Sequence, residues 1–408
     1  MDITQIVMYI VLFLSLYFEV FLLITFFERS ESKECGTTTD DDSLPTVAVI
    51  VPCFNEASTV AGTLRSLLAL SYPTHKLEII AVNDGSTDGT KEVLETFAGH
   101  QQIQILDKEN GGKHTAMNAA LAYTKADIIG CLDADSFVET DALIQIIRHF
   151  EDSGVAAVTP SIKVYKAQGL IQALQKAEYG LAIFVRNVFA RMDSLFITPG
   201  PFSFFRRSVI NEVGPWQHGH STEDLEMCLR LQRLHKRVTN EPRAIVYTKT
   251  PKTLPELFKQ RLRWTYGFLR NAIDYQKLFM NPQYGTLGML VLPMSLFSLF
   301  GAIFLFSALI WNVLVFFARE FIRFQTVGIT APTIQFDIFF INTSSILTIT
   351  IALVVLTLVL MALGKRLARD AYISLDMPIY LVLYGFITPL WLTAALYKAI
   401  ANTGVRWR

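Results

Sequence analysis

"IIGCLDADSF", residues 128–137, runs apolar and then places Asp133 and Asp135 two positions apart. In an extended backbone, residues i and i+2 face the same side, so a buried strand here would end in two adjacent carboxylates. Such a pair repels itself unless a cation stands between its members or one of them stays protonated. Four further stretches, "TVAVIVPC" (46–53), "LEIIAVN" (77–83), "IQIL" (103–106) and "VAAVTPSIKVY" (155–165), also read as buried strands. Between the strands, residues 56–70, 88–98, 113–125 and 140–152 have helical length and periodicity. This alternation predicts a parallel sheet covered by helices on both faces. Ligands of such sheets bind at the carboxyl ends of the strands, and the polar residues collect there: "CFNE", "NDGSTDGT", "ENGGKHTAMN" and "DADS". The pattern points to a nucleotide site.

Taken singly, most of these pieces have a plain structural reading. "NDGSTDGT" is made of turn formers, and "GGK" suits a helix N-terminus as well as a phosphate cradle. "DAD" is more specific. A hard cation such as Mg²⁺ takes one or two carboxylates together with substrate phosphates, so a metal carrying a nucleotide diphosphate would relieve the repulsion between Asp133 and Asp135. The bland reading is two solvated acids on a loop. His218 and His220 of "HGH" are read as a solvated loop, since hard-cation sites seldom need imidazole.

Composition sets the wider frame. Of 408 residues 51% are apolar and only 18% charged, with no net charge. The apolar excess lies in four blocks, 6–27, 287–317, 339–363 and 378–400, each sufficient for the roughly 20 residues that cross a hydrocarbon core of about 30 Å. The chain is therefore read as an integral membrane protein with a globular insert after its first span. That span lacks a basic leader and a small-residue cleavage site, and is read as retained rather than as a signal peptide. Arg29 and Lys33 follow the first span, and Lys365, Arg366 and Arg369 lie between the last two, which puts the insert on the cytoplasmic side. Arg319, Arg323 and the closing "VRWR" then fall outside. Cys35, Cys53, Cys131 and Cys228 show no paired or metal-binding spacing and fit a reducing compartment.

The ordered set "PCFNE", "NDGSTDGT", "GGK", "DAD", "STEDLEM" (221–227) and "QRLRW" (260–264) resembles the membrane-integrated family 2 glycosyltransferases. That group includes cellulose, hyaluronan, chitin and poly-N-acetylglucosamine synthases. The likeness covers about residues 44–275 and is strongest to the bacterial poly-β-1,6-N-acetylglucosamine synthases. It implies a GT-A fold: an α/β cytoplasmic domain with a Rossmann-like, mostly parallel sheet, plus a helical transmembrane domain in the plasma or inner membrane. The implied division is 1–43 for the first span and linker, 44–280 for the catalytic domain with interfacial helices, and 281–408 for about three further spans. By the resemblance, Glu56 and Asp84 would hold the uridine of a UDP-sugar, Lys113 would position the donor, and Asp133 and Asp135 would bind nucleotide and metal. The metal would be Mg²⁺ or Mn²⁺, with Asp135 its more direct ligand. Asp224 would be the general base with Glu223 beside it on the acceptor side. Gln260 and Arg263 would contact the pyrophosphate, and Trp264 would line the acceptor sugar. The expected partners are the UDP-sugar, a polysaccharide or lipid acceptor, membrane lipids and a small membrane subunit, with no nucleic acid. "TPGPFSFFRR" (198–207) departs from the "FFCG"-type loop of cellulose synthases, which leaves the acceptor open.

The chemistry makes sense independently of the resemblance. An inverting transfer needs one base opposite the leaving diphosphate, and positive charge to stabilise that diphosphate. Two stretches, 169–192 and 253–273, are amphipathic and read either as interfacial helices or as core helices of the insert. Glu19, within the first span, costs roughly 3 kcal/mol or more unless it faces protein or water. It is read either as lining a channel or touching a partner, or as lying near one end of a tilted span. The leading reading is a processive synthase that passes its polymer through its own spans. The rival is a single-addition transferase acting on a lipid, which the small number of spans favours. A dead scaffold or a plain transporter has no use for Asp133, Asp135, Asp224 and Arg263 together.

Overall fold

The computed structural model describes residues 3–28, 43–328, 345–370 and 374–404. Arg29, Lys33, Cys35, the 339–344 start of the third apolar block and the closing "VRWR" lie outside them. Strand β1 (Val47–Cys53) is a β-branched run buried on both faces, with β2 (Leu77–Asp84) and β3 (Ile103–Lys108) beside it. β4 (Ile128–Cys131), β5 (Ser136–Val138), β6 (Val155–Val164), β7 (Ser203–Arg206) and β8 (Arg237–Thr248) complete one sheet in the order β3-β2-β1-β4-β7-β6-β8-β5. The helices are α1 (Ile3–Phe27), α2 (Val60–Leu68), α3 (Thr90–Glu95), α4 (Lys113–Tyr123), α5 (Ala142–Ile147) and α6 (Gly169–Arg191). After them come α7 (Arg207–Val213), α8 (Glu223–Arg233), α9 (Leu254–Asp274), α10 (Leu292–Val327), α11 (Ser345–Leu367) and α12 (Asp376–Ile400).

Period-2 side-chain alternation sorts the strands onto two cores. Val47, Val49, Val51, Ile79 and Ala81 pack under α2 and α5, whereas Ala48, Ile50, Ile80, Val82 and Ile129 pack under α4, α6 and α8. The sheet is mixed rather than wholly parallel. β1, β2, β3 and β4 run parallel, but β7 lies antiparallel between β4 and β6, and β5 lies antiparallel to β8. β7 can pair so closely because Gly130 of β4 has no side chain: a Cβ there would overlap the Phe204 ring.

The "DAD" segment also departs from the extended form expected of it. After Leu132 donates to the Ile50 carbonyl (2.9 Å), the chain turns, and the Ser136 N–H closes on the Asp133 carbonyl at 3.0 Å. The two carboxylates are brought near each other by a turn and not by strand alternation.

Among the described residues, four helical segments are long and apolar enough to cross a membrane: Ile3–Phe27, Leu287–Thr326, Ser345–Leu367 and Asp376–Ile400. They do not hang from the sheet on a tether. Leu22, Phe184, Leu292 and Leu360 belong to the same apolar cluster as Ala48 and Ile129, so one core runs from the sheet into the spans. The turn after α11 lies against the sheet domain, with Arg369 3.8 Å from Asp141 and Asp370 3.7 Å from Lys163. Glu19 faces protein: its Oε1 accepts from Thr357 Oγ1 of α11 at 2.7 Å.

α6 is wedged between β6, β8 and the spans. It meets α11 where Gly180 and Gly364 touch, and a Cβ on Gly364 would overlap the Gly180 carbonyl oxygen. Small residues permit such close helix crossings. Gly364→Ala should therefore destabilise the fold by about 1–3 kcal/mol, the usual range for overpacking. Thermal unfolding of the detergent-purified chain checks this, with Gly385→Ala, where nothing stands within 4 Å, as the control that should leave the transition in place.

Candidate active site

The carboxyl edge of the sheet is built around one turn. Asp84, the last residue of β2, is buried. Its Oδ1 accepts from Lys108 Nζ (2.6 Å) and the Gly111 N–H (3.1 Å), and its Oδ2 from the Gly112 N–H (2.8 Å). Gly112, at φ +89, supplies a left-handed conformation that other residues adopt at a cost, and the chain then enters α4 with Lys113 as its first residue. The Lys113 ammonium lies 2.5 Å from Asp133 Oδ1 and 3.2 Å from Glu223 Oε1. Gly200, in "TPGP", closes over this pair, and a Cβ there would collide with the ammonium.

Glu223 and Asp224 occupy the first turn of α8, where the helix dipole favours negative charge. Asp224 Oδ1 accepts from the Leu225 N–H at 2.8 Å, and Thr198 Oγ1 holds the Asp224 carbonyl at 2.8 Å. Lys113, Gly200, Glu223 and Asp224 line one recess.

Charge is unevenly matched here. Burial, with Asp133 and Glu56 nearby, pushes the Asp135 carboxyl up to about 7. Burial and the Glu223 carboxylate push Asp224 up to about 6. Burial also works against ionised Glu223, but the Lys113 ammonium, a backbone hydrogen bond and Arg263 together outweigh it and hold Glu223 below the usual glutamate range. Burial would lower Lys113, yet Asp133 and Glu223 keep it well above the ordinary lysine value. Glu56 acts on Asp135 from the turn after β1, where its Oε2 accepts from Thr59 Oγ1 at 2.8 Å. Among the described residues no group of three or more His, Cys, Asp or Glu converges as a metal cage.

α9 carries "QRLRW". It opens with a Thr253–Glu256 capping box and packs on the segment leading into α8. Gly267 lies against Thr222, and Asn271 Nδ2 donates to the Gly219 carbonyl (2.9 Å) and to Thr222 Oγ1 (3.0 Å). Arg263 Nη1 donates to the Ser221 carbonyl at 2.9 Å, which ties it to the approach to Glu223 and Asp224. Gln260 Oε1 accepts from Arg261 Nη1 at 2.8 Å.

Arg261, which carries no role in the sequence reading, is buried beneath Trp264, with its guanidinium 4.3 Å from the ring centroid. Its Nη2 meets Glu178 of α6 at 2.6 Å, and Tyr384 of α12 donates to the same carboxylate at 2.9 Å. The available signal was the i, i+3 spacing of Arg261 and Trp264. Glu178 and Tyr384 had none. Of the two histidines, His220 Nε2 lies 2.7 Å from Asp274, and His218 stacks edge-on against His114.

A family described as glycosyltransferase like family 2 matches residues 45–267. A poly-β-1,6-N-acetyl-D-glucosamine synthase of Staphylococcus epidermidis is 30% identical over 261 residues, 63% of either chain. The match therefore spans less than two thirds of that relative's length. The synthase of the same name from Staphylococcus aureus is 31% identical over 281 residues, 67% of this chain and 68% of its own. Among solved structures, a mannosyltransferase from Pyrobaculum calidifontis in complex with GDP-Man and Mn²⁺ superposes with a TM-score of 0.67. It is 18% identical and covers 98% of both chains, a likeness of fold.

The raised Asp135 carboxyl has a testable sign. A group whose folded value lies above its unfolded one stabilises the fold when protonated and loses that contribution as pH rises through the folded value. Asp135→Asn should thus raise the unfolding temperature at pH 8 without divalent ions. The gain should fade as pH falls below about 7. An equal gain at pH 5 would show that the carboxyl is not strained by its neighbours.

Proposed function

We propose that this chain, which belongs to the family 2 glycosyltransferases, is a membrane synthase that extends a β-linked polysaccharide from a UDP-sugar, with N-acetylhexosamine as the unit. The observation that carries this reading is the Lys113 bridge from Asp133 to Glu223. It joins the "DAD" turn to the first turn of α8 in one recess, so a donor at the sheet edge and a base on α8 would face the same reacting carbon. The named synthases that match two thirds of the chain support the choice of polymer.

In this reading Asp224 Oδ removes the proton of the acceptor hydroxyl. The acceptor oxygen then forms its bond to the anomeric carbon as the bond to the UDP oxygen breaks on the opposite face, and the configuration inverts. Glu56 and Asp84 border the uridine, Asp84 through the 111–112 turn that it holds. Lys113 contributes positive charge beside the donor. Arg263 and Gln260 reach the pyrophosphate from α9, Arg263 by exchanging its bond to the Ser221 carbonyl. Glu223, fixed by Lys113, keeps Asp224 basic.

Asp133 and Asp135 suit Mg²⁺ or Mn²⁺. They are hard oxygen donors, burial and then their mutual repulsion lift the Asp135 carboxyl to about 7, and they would hold the ion together with diphosphate oxygens. The metal supplies charge that stabilises the departing diphosphate. Trp264, 38% exposed, offers a flat face to the acceptor sugar, with Arg261 beneath to fix its angle.

The proposed division is 1–43, 44–280 and 281–408, with the sheet domain cytoplasmic. The four spans also suit a single addition to a lipid acceptor, and product length separates the two readings.

Asp224→Asn should leave UDP-sugar binding nearly intact while transfer falls by roughly 10²–10⁴-fold. Wild-type kcat/KM should drop as pH falls through about 6, because the base must be ionised. A variant with near-normal turnover would move the role to Glu223. Trp264→Ala should shorten the product more than it weakens donor binding. Long chains formed while most acceptor remains unextended identify a polymerase. One sugar per lipid at all times identifies the single-addition enzyme.

A further inference from the structure

A second recess lies away from the carboxyl edge of the sheet, at the joint between sheet and spans. It is a hollow of about 240 Å³ open to solvent, walled by β6, β8, α6 and the end of α11. Its floor is apolar, with Ile162, Val164, Ile183 and Ala368. Four lysines converge on it: Lys163, Lys166, Lys176 and Lys365.

Few acids answer them. Lys365 is paired with Asp376 at 3.0 Å, while Lys163 is a long 3.7 Å from Asp370. Lys163 and Lys166 otherwise lie over the rings of Tyr247 and Tyr165. Glu139, the next acid, is engaged by the Tyr247 hydroxyl at 2.8 Å. Four ammonium groups against three carboxylates, Asp370, Asp376 and Glu139, leave a surplus of one positive charge in a partly enclosed space. Burial holds the Lys163 ammonium below the usual lysine range against the pull of Asp370 and Glu139, and Lys176 adds to it.

The place of the hollow narrows the ligand. Lys365 and Ala368 stand at the end of the Ser345–Leu367 span, so the opening lies at the depth where lipid headgroups meet the sheet domain. We propose that this hollow binds a phosphate-bearing anion at the membrane surface, the headgroup of an anionic phospholipid. Lysine ammoniums supply charge and donors to the phosphate oxygens, and the apolar floor accepts the glycerol end. This site is separate from the Lys113 recess, and its test does not depend on the transfer reaction.

The experiment uses the purified full-length chain in neutral detergent. Its thermal unfolding is followed while phosphatidylglycerol, phosphatidylcholine or inorganic phosphate is titrated in. Phosphatidylglycerol should raise the transition and phosphatidylcholine should not. Removing one lysine near an anionic surface weakens binding by about five-fold, so the rim pair Lys166→Gln with Lys176→Gln should weaken it by roughly 25-fold. Lys163→Gln should cost a similar single step. Lys91→Gln, an exposed lysine paired with Asp107, should change nothing. The rim pair is exposed and keeps the test valid if the Lys163 variant does not fold. If inorganic phosphate reproduces the shift and competes with the lipid, and the rim pair abolishes both effects, the site stands with a soluble phosphate as its source. Equal shifts by the two lipids, or wild-type lipid affinity in the rim variant, would overturn the proposal.

Discussion

One buried ammonium, Lys113, holds together carboxylates from two elements far apart in sequence, Asp133 after β4 and Glu223 at the start of α8. Much of the carboxyl edge follows from that constraint. To place Lys113 at the first position of α4, the chain must turn at Gly111 and Gly112, and Asp84 holds both N–H groups of that turn. To let "TPGP" close over the pair, residue 200 must lack a side chain. A buried ion pair of this kind adds little net stability, because the cost of desolvating the charges offsets their attraction. Removing one partner, in contrast, leaves a charge uncompensated and costs several kcal/mol. The sheet's two apolar cores carry the fold, and the charges are held in place by it.

A second set of contacts decides how the sheet domain meets the spans. Arg261 of α9, Glu178 of α6 and Tyr384 of α12 form one buried chain of contacts, next to the Gly180–Gly364 crossing. A polar chain of this kind fixes the register of three helices that apolar packing alone would let slide. Its Arg261 lies directly under Trp264, so that ring rests on a guanidinium that Glu178 and, through it, Tyr384 help to hold. α9 therefore reports to both sides, touching the approach to Asp224 through Asn271 and Arg263 and reaching the last span through Arg261 by way of Glu178.

How far the sequence could be read depended on whether a residue's partner was local. β1, β2, β3, β4 and β6 were legible because each is a run of apolar, often β-branched residues bounded by turn formers. β5 and β7 are too short to show a period, and β8 carries Asn240, Glu241 and Arg243 in its middle, where its register against β6 shifts. α6 was ambiguous because its apolar residues alternate with Lys176, Arg186 and Arg191, a pattern that suits a membrane interface as well as a core, and its glutamines gave no help. Gln172 and Gln175 are in fact buried and donate to the Thr250 and Pro251 carbonyls at 2.9 and 2.8 Å. Asp133, Asp135, Glu223, Asp224 and Arg263 stood out because their chemistry limits the residue types. Glu178 and Tyr384 did not, since their roles depend on partners 83 and 206 residues away.

The segment entering α8 shows what the contacts around α9 hold in place. Gly219, His220 and Ser221 follow one another with φ of +50, +53 and +67. For the two non-glycine residues that conformation costs roughly 1–2 kcal/mol each. Such strain persists only where the surroundings over-determine it, and here they do. His220 is tied to Asp274, Ser221 to Arg263, and Gly219 and Thr222 to Asn271. All three anchors belong to α9. The left-handed run lets the chain reverse within a few residues, so that Glu223 points at Lys113 while Asp224 stays beside it in the recess. Local strain before α8, the ion pair within the recess and the grip of α9 thus meet at the first turn of α8, which carries Glu223 and Asp224.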